Sequence, residues 1–224
     1  VLPRLLTPKA CERLTTALSH IQSLLPGDED HRPNHYCAEF DEYLASLIDH
    51  PQMLDLARSI LGDDIRFDHC VTLNRPGGND GSRWHSHAYS EQDAALGFVR
   101  IFFYVNGFEM GDGNLKVVPG SHLYRDPVIQ AASDQELRDG WMRDRTHPRT
   151  GDALQIEELE APQGSVALMW THAAHGVSAR LPGSGTRWTV VYAYRNPGAE
   201  SAARWITPEF QASVDVEESL MTLY

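Results

Sequence analysis

The period of the apolar residues changes at Ile65, and this change limits the possible folds more than any other feature of the chain. Before this point, apolar residues recur at helical spacing, as in Leu14, Leu18, Ile21 and Leu25, which predicts amphipathic helices. From Ile65 onward they alternate with polar or small residues, which is the period of a strand with one buried face. The sequence therefore predicts a mainly β fold, an antiparallel sandwich or barrel, with a flanking layer of helices.

Breaks in these patterns divide the chain into segments of one predicted domain, 1–224. We expect a helical layer over residues 1–64 and a β core over residues 65–195. Within the core, the polar stretch 123–152 is predicted to be an insertion or lid with a short amphipathic piece in it. Residues 196–224 are predicted to form a C-terminal tail or a closing helix. A chain of 224 residues is long enough to bury a hydrophobic core without disulfide bonds, structural metals or repeats.

Capping residues and turns set the expected limits of the helices and strands. Thr7 is a typical helix cap and Pro8 a typical first helical residue, so a first helix is predicted from there to the Pro-Gly turn that follows Leu25. Two further helical patterns cover residues 40–48 and 53–61. After the first strand, the strand candidates between Gly and Pro turns are FVRIFFYV, LKVV, ALQIEEL, SVALMW and TRWTVVYAYR.

Net charge and cysteine content exclude several classes of partner and site. Thirty-one acidic residues against 19 basic ones give a charge of −12, which repels phosphate backbones and acidic membrane surfaces. No apolar run approaches the roughly 18 to 20 residues that cross a bilayer. Cys11, Cys37 and Cys70 form no CxxC pair, which argues against a disulfide framework or a thiolate zinc site. We therefore expect a soluble, cytoplasmic protein that binds neither nucleic acid nor membranes.

Two groups of histidines lie next to predicted strands. His85 and His87 are two residues apart, so on an extended strand both imidazoles point to one face and can share a metal ion. His172 and His175 follow the apolar strand SVALMW, and a β-barrel brings remote strand ends of this kind together. Arg187 follows in the last predicted strand. A guanidinium inside a barrel requires an anion, either a carboxylate-bearing ligand or an Asp or Glu at the barrel mouth.

Three sequence blocks around these residues resemble, in the same order, the signature blocks of the phytanoyl-CoA dioxygenase-like family of iron(II)- and 2-oxoglutarate-dependent oxygenases. The blocks are LNRPGGNDGSRWHSH, GDGNLKVVPGSHLYR and APQGSVALMWTHAAHGVSARLPGSGTR. The resemblance covers about residues 73–195, apart from the insertion, and its most specific piece is PGSH. It implies a double-stranded β-helix, that is, a cupin-like jelly roll, with the helical first third packed against it.

The resemblance also implies roles for individual residues. His85 matches the proximal iron ligand, His175 the distal iron ligand and Arg187 the arginine that pairs with the far carboxylate of 2-oxoglutarate. Ser178 is expected to add a hydroxyl to that carboxylate, although the family's Asn-x-Ser is not intact here. Apart from the resemblance, Tyr104 shares its strand parity with Phe102 and Arg100, and on that ground it is expected to donate its hydroxyl to the co-substrate. His122 of PGSH and His172 are expected to be structural.

The chain departs from the family pattern at His87, which stands where the family has an Asp ligand. An imidazole there keeps a ligand but removes one negative charge, so the expected metal centre consists of three histidines, His85, His87 and His175. Loss of the carboxylate softens the preference for iron toward nickel, cobalt, copper or zinc. His87 fills the space that the family's halogenases leave for chloride, which disfavours halogenation. Glu91 or Asp93 is the alternative source of a carboxylate ligand.

The leading hypothesis is therefore an iron(II)- and 2-oxoglutarate-dependent dioxygenase that uses O2 and hydroxylates a small molecule. A second hypothesis is a three-histidine metal dioxygenase in which Arg187 holds a substrate carboxylate and 2-oxoglutarate takes no part. A third hypothesis is an inert binding domain that kept the fold and lost the chemistry.

Overall fold

We describe the fold from a computed structural model, which describes residues 1–25, 32–87, 97–126, 128–198 and 204–224. The α-helices, in chain order, are α1 Pro8–Ser23, α2 Arg32–His35, α3 Glu42–Ala45, α4 Pro51–Leu61, α5 Asp134–Asp139, α6 Pro208–Ser213 and α7 Glu218–Met221. No helix in these residues is both long enough and apolar enough to cross a membrane.

Within the described residues, nine strands form two antiparallel sheets. They are β1 Arg66–Thr72, β2 Ser82–His85, β3 Phe98–Tyr104, β4 Leu115–Val117, β5 Gln130–Ala131, β6 Glu157–Glu158, β7 Ser165–Trp170, β8 His175–Val177 and β9 Thr189–Arg195. The first sheet has the strand order β1-β9-β3-β7, and the second has the order β5-β2-β8-β4-β6. The predicted mainly β architecture with flanking helices is confirmed, and the candidate site lies between the sheets.

Each face of the first sheet has its own apolar cluster, as the alternation of its residues predicts. Tyr192 and Tyr194 of β9 point toward the helices, and their hydroxyls donate to the main-chain carbonyls of Leu44 (2.9 Å) and Ile48 (2.6 Å). Val191, on the opposite face of the same strand, belongs to the cluster between the two sheets. The helices therefore close one face of this sheet and leave the other face to line the interior.

Two of the three predicted helices of the N-terminal layer form at close to their full length. The hydroxyl of Thr7 accepts a hydrogen bond from the Ala10 amide (3.2 Å) and so caps α1. The helix predicted over residues 40–48 is wrong in extent, because α3 is a single turn. The Asp41 carboxylate accepts from the amides of Tyr43 and Leu44, both at 3.0 Å, and fixes a late helix start.

The insertion and the C-terminal segment both pack on the core. Leu137 of α5 joins a buried cluster with Trp84 on the outer face of the second sheet, so α5 covers that face. The C-terminal segment takes the form of closing helices, since Leu220 and Met221 are buried in the cluster under the helical layer. The predicted strand ALQIEEL shortens to the two residues of β6.

Candidate metal and co-substrate site

Two histidines face each other across the second sheet. His85 ends β2 and His175 begins β8, and the two residues are direct partners in the ladder, with ring centroids 4.1 Å apart. Nδ1 of His85 donates to the carbonyl oxygen of Arg83 (2.8 Å), and Nδ1 of His175 donates to that of Ala173 (2.9 Å). Because a neutral imidazole with a protonated Nδ1 keeps its lone pair on Nε2, both rings can bind a metal through Nε2.

His87 lies just beyond β2 and completes a cluster of three imidazoles. Its amide donates to the Thr171 carbonyl (2.9 Å), which fixes it beside the segment leading to His175. Its ring centroid is 4.8 Å from that of His85 and 5.2 Å from that of His175. One ligand atom from each ring lies within 4.8 Å of the others, and three imidazoles are a donor set suited to a first-row divalent cation.

The three imidazoles are held in the neutral form that binds metals. Burial and the neighbouring His85 lower the pKa of His175 to about 3. Burial is also the main cause of the lowered pKa values of His85 and His87, and the Arg100 guanidinium contributes to both. A metal ion therefore displaces no proton from these rings at neutral pH.

A buried network of polar side chains leads from His87 into the first sheet. Nη1 of Arg100 lies 3.1 Å from Nε2 of His87, and Nη2 lies 3.3 Å from Nε2 of His69. Nδ1 of His69 lies 2.6 Å from Oδ2 of Asp68, whose other oxygen is 3.2 Å from Nε of Arg195. This network was not predicted from the sequence. Its local signals are the adjacent Asp68-His69 pair in the fully buried strand β1 and Arg100 within the apolar strand β3.

Arg187 is buried, at 3% exposure, and forms no salt bridge with a described residue. Its guanidinium lies 5.7 Å from the ring centroid of Tyr104 and 5.6 Å from that of Phe108, and it donates to the carbonyl of Gly113. Burial lowers its pKa to about 10. A buried cation in this state is stabilised by an anionic ligand.

Arg75 pairs with Arg187 through the backbone, and its charge acts on His85. The two arginines pair through their backbones, with N–O distances of 3.0 and 2.8 Å. The charge of Arg75 lowers the pKa of both His85 and Arg187, although burial is the larger cause in each case. Burial raises the pKa of Tyr104 to about 12, so its phenol keeps the proton it could donate.

The other described residues that the sequence predicted for the site lie outside the cluster of three histidines. The Ser178 hydroxyl contacts Asn114, to whose main-chain oxygen it donates at 3.2 Å, next to the Gly113 carbonyl that Arg187 contacts. His122 stacks on Trp170, with ring centroids 6.1 Å apart. His172 is buried and belongs to no metal-binding cluster of the described residues. Glu91 and Asp93 lie outside the described residues.

The PGSH turn contributes to the site through its serine. The Ser121 hydroxyl donates to the Val118 carbonyl (2.6 Å) and accepts from the Ala174 amide (2.8 Å), directly before His175. A Cβ atom on Gly120 would lie 2.2 Å from the His147 ring, so only glycine fits at that point of the turn. The motif thus braces the strand that carries His175.

Comparisons with known proteins identify the family of the chain and its fold. The sequence profile of the family described as phytanoyl-CoA dioxygenase (PhyH) matches residues 1–183. That match includes the helical layer and the three clustered histidines and ends before Arg187. An L-proline trans-4-hydroxylase from Streptomyces griseoviridis is 23% identical over 201 residues, which is 82% of this chain and 74% of the relative.

Solved structures with the same fold include HygX from Streptomyces hygroscopicus with nickel and 2-oxoglutarate bound. It superimposes with a TM-score of 0.64 at 16% identity, over 89% of this chain and 83% of HygX. The epimerase SnoN, in complex with Fe3+, α-ketoglutarate and nogalamycin RO, gives a TM-score of 0.63 at 16% identity, over 87% and 77% of the two chains.

Proposed function

Because the chain belongs to the phytanoyl-CoA dioxygenase family of iron(II)- and 2-oxoglutarate-dependent dioxygenases, we propose that it hydroxylates a small molecule at a three-histidine metal centre. The observation that carries this proposal is the convergence of three neutral imidazoles, His85, His87 and His175, near a buried arginine without a carboxylate partner among the described residues. A cation at the imidazoles and a dianion at the arginine would satisfy both groups.

The metal would be held by Nε2 of His85 and His175, whose Nδ1 hydrogen bonds already fix the rings in the required tautomer. His87 would be the third ligand, in place of the family's carboxylate. Bound iron(II) supplies the redox chemistry by which such oxygenases activate O2. Without a carboxylate ligand, the centre would carry one more positive charge than the usual one, which would favour anionic co-substrates and admit nickel, cobalt, copper or zinc.

The far carboxylate of 2-oxoglutarate would pair with Arg187. This guanidinium lies among the rings of Tyr104 and Phe108, where low polarity strengthens a charge-assisted hydrogen bond. The Tyr104 phenol would donate to the same ligand. Ser178 could take part only by releasing Asn114, to which its hydroxyl proton now points. The apolar wall between the sheets excludes water from this region.

The substrate would enter beside His85. A cavity of about 590 Å³ lies there, a size suited to a small molecule. Its lining includes the polar side chains of Arg83, Gln130 and Glu136. Gln130 is the ladder partner of His85, so the substrate would meet a polar rim next to the metal centre. The relative from Streptomyces griseoviridis is named for the hydroxylation of L-proline, and small polar substrates of that size are the first to test.

Anaerobic titration of the iron(II)-loaded protein with 2-oxoglutarate tests the proposal. Chelation of iron(II) by the keto and carboxylate oxygens gives a visible charge-transfer band, and we expect this band in the native protein but not in His175→Ala. If the protein binds the metal but 2-oxoglutarate produces neither the charge-transfer band nor a heat of binding, the result would favour the three-histidine dioxygenase that is independent of 2-oxoglutarate. Failure to bind any first-row metal would leave the inert binding domain.

A further inference from the structure

Arg100 is a buried cation whose two terminal nitrogens each face a histidine. The residue lies on β3 with 6% exposure, and Ala193 of β9 is its ladder partner. Ala193 is also the partner of His69 on β1, so the three residues form one row across the first sheet. The small alanine between them lets the guanidinium reach His69 on one side while it contacts His87 on the other.

The direction of these hydrogen bonds is fixed by chemistry. A guanidinium has donors only, so Nε2 of His87 (3.1 Å) and Nε2 of His69 (3.3 Å) must both accept from Arg100. His69 in turn donates from Nδ1 to the Asp68 carboxylate at 2.6 Å. The Asp68-His69 pair therefore fixes one terminal nitrogen of Arg100, so that the other terminal nitrogen is in position to donate to His87.

This contact separates His87 from the other two candidate ligands. Nε2 of His85 and of His175 keeps its lone pair, because Nδ1 of each ring donates to a main-chain carbonyl. The corresponding lone pair of His87 is already used by Arg100. A metal ion can bind Nε2 of His87 only if it displaces this charge-assisted hydrogen bond.

We propose that Arg100 is a positioning residue that occupies the Nε2 lone pair of His87, lowers the metal affinity of the three-histidine centre and makes His87 the last ligand to engage. The inference rests on the proposed function, since it assumes that His85, His87 and His175 share one metal ion. It goes beyond that function by assigning a residue that regulates how the third ligand binds.

A double-mutant cycle with Ni2+ as the probe tests the proposal. We expect Arg100→Met to tighten Ni2+ binding, measured by calorimetry, by about 10-fold or more. In a His87→Ala background the same substitution should change the Ni2+ affinity much less, because only the loss of the positive charge of Arg100 then acts on the metal. Arg66→Met, which removes another buried arginine paired with Asp64, is the matched control and should leave the affinity unchanged.

Equal effects of Arg100→Met in both backgrounds, or no tightening in the native one, would overturn the proposal. If Arg100→Met does not fold, imidazole 15N spectra of the native protein decide the question. We expect the His87 Nε2 resonance to move to a zinc-bound value when Zn2+ is added. Zinc shifts at His85 and His175 without a shift at His87 would contradict this inference and the role of His87 as third ligand, while metal binding by the other two histidines would stand. Failure of the native protein to bind Ni2+ and Zn2+ would contradict the proposed function as well.

Discussion

At the scale of single residues, Arg187 is the side chain on which co-substrate binding should depend most. We predict that Arg187→Met weakens 2-oxoglutarate binding by about 10- to 100-fold, because it removes a buried hydrogen-bonded charge from the far carboxylate. The dissociation constant can be measured from the charge-transfer band of the iron(II) complex. Nickel affinity in the absence of 2-oxoglutarate is the control and should change little. An unchanged dissociation constant for 2-oxoglutarate would show that the far carboxylate binds elsewhere.

The residues that could be identified from sequence were those that occupy motif positions or obey strand parity. His85 and His87 are two residues apart, and His175 follows an apolar strand, so their convergence follows from local pattern and the family resemblance. Arg100 could not be assigned in this way, because its partners depend on the register of β1, β9 and β3. The ladder between β1 and β9 shifts register between Phe67 and His69, and this irregularity breaks the simple alternation at the Asp68-His69 pair.

At the scale of elements, α5 of the insertion is anchored to the second sheet. Oδ1 of Asp134 accepts from Nε1 of Trp84 at 2.7 Å and pairs with the ammonium group of Lys116. Trp84 precedes His85 on β2 and is 3% exposed. This helix is thereby tied to β2 and β4, the two strands on either side of β8, which carries His175.

We predict that Asp134→Ala destabilises the protein by about 1–3 kcal/mol, because it leaves the buried Trp84 indole without its acceptor. Urea unfolding followed by circular dichroism measures this change, and limited proteolysis should cut residues 134–152 faster. Gln135→Ala is the matched control on the same helix. Its side chain is exposed and donates a hydrogen bond to Asp139, so a change below about 0.5 kcal/mol is expected. Equal losses in the two variants would contradict the anchoring role.

Element limits were the least predictable part of the fold. Helix α1 has a capping threonine, a proline at its first position and a regular apolar face, so its extent could be predicted. The pattern over residues 40–48 has the same apolar spacing, but Asp41 caps the chain late and only one turn forms. The strand pattern 153–159 also shortens, since β6 pairs with β4 alone at the edge of its sheet. A local cap overrides the apolar spacing in the first case, and strand pairing overrides it in the second.

At the scale of the whole molecule, the buried neutral histidines make stability depend on pH. His175 has an ordinary pKa near 6.5 when unfolded and about 3 in the fold, so the unfolded chain binds a proton between these values that the native protein does not. The contribution of His175 to the free energy of unfolding is therefore fully present above pH 6.5 and is lost as the pH falls toward 3.

We predict that His175→Gln reduces the slope of unfolding free energy against pH in this window. One such group contributes at most about 1.4 kcal/mol per pH unit. Urea titrations of the apo protein between pH 4 and pH 7 measure the slope, and the comparison cancels contributions from carboxylates common to both proteins. Parallel curves for the native protein and the variant would contradict a buried, neutral His175.

The crystal structure of the zinc-loaded protein, with the metal located by anomalous scattering, tests the central claim most directly. The account predicts one ion bound by Nε2 of His85, His87 and His175 at about 2.0–2.1 Å, the usual zinc–imidazole distance. It also predicts that Arg100 will have released His87. An ion bound at another place, or one ligated by His85 and His175 while His87 remains hydrogen-bonded to Arg100, would contradict a three-histidine centre.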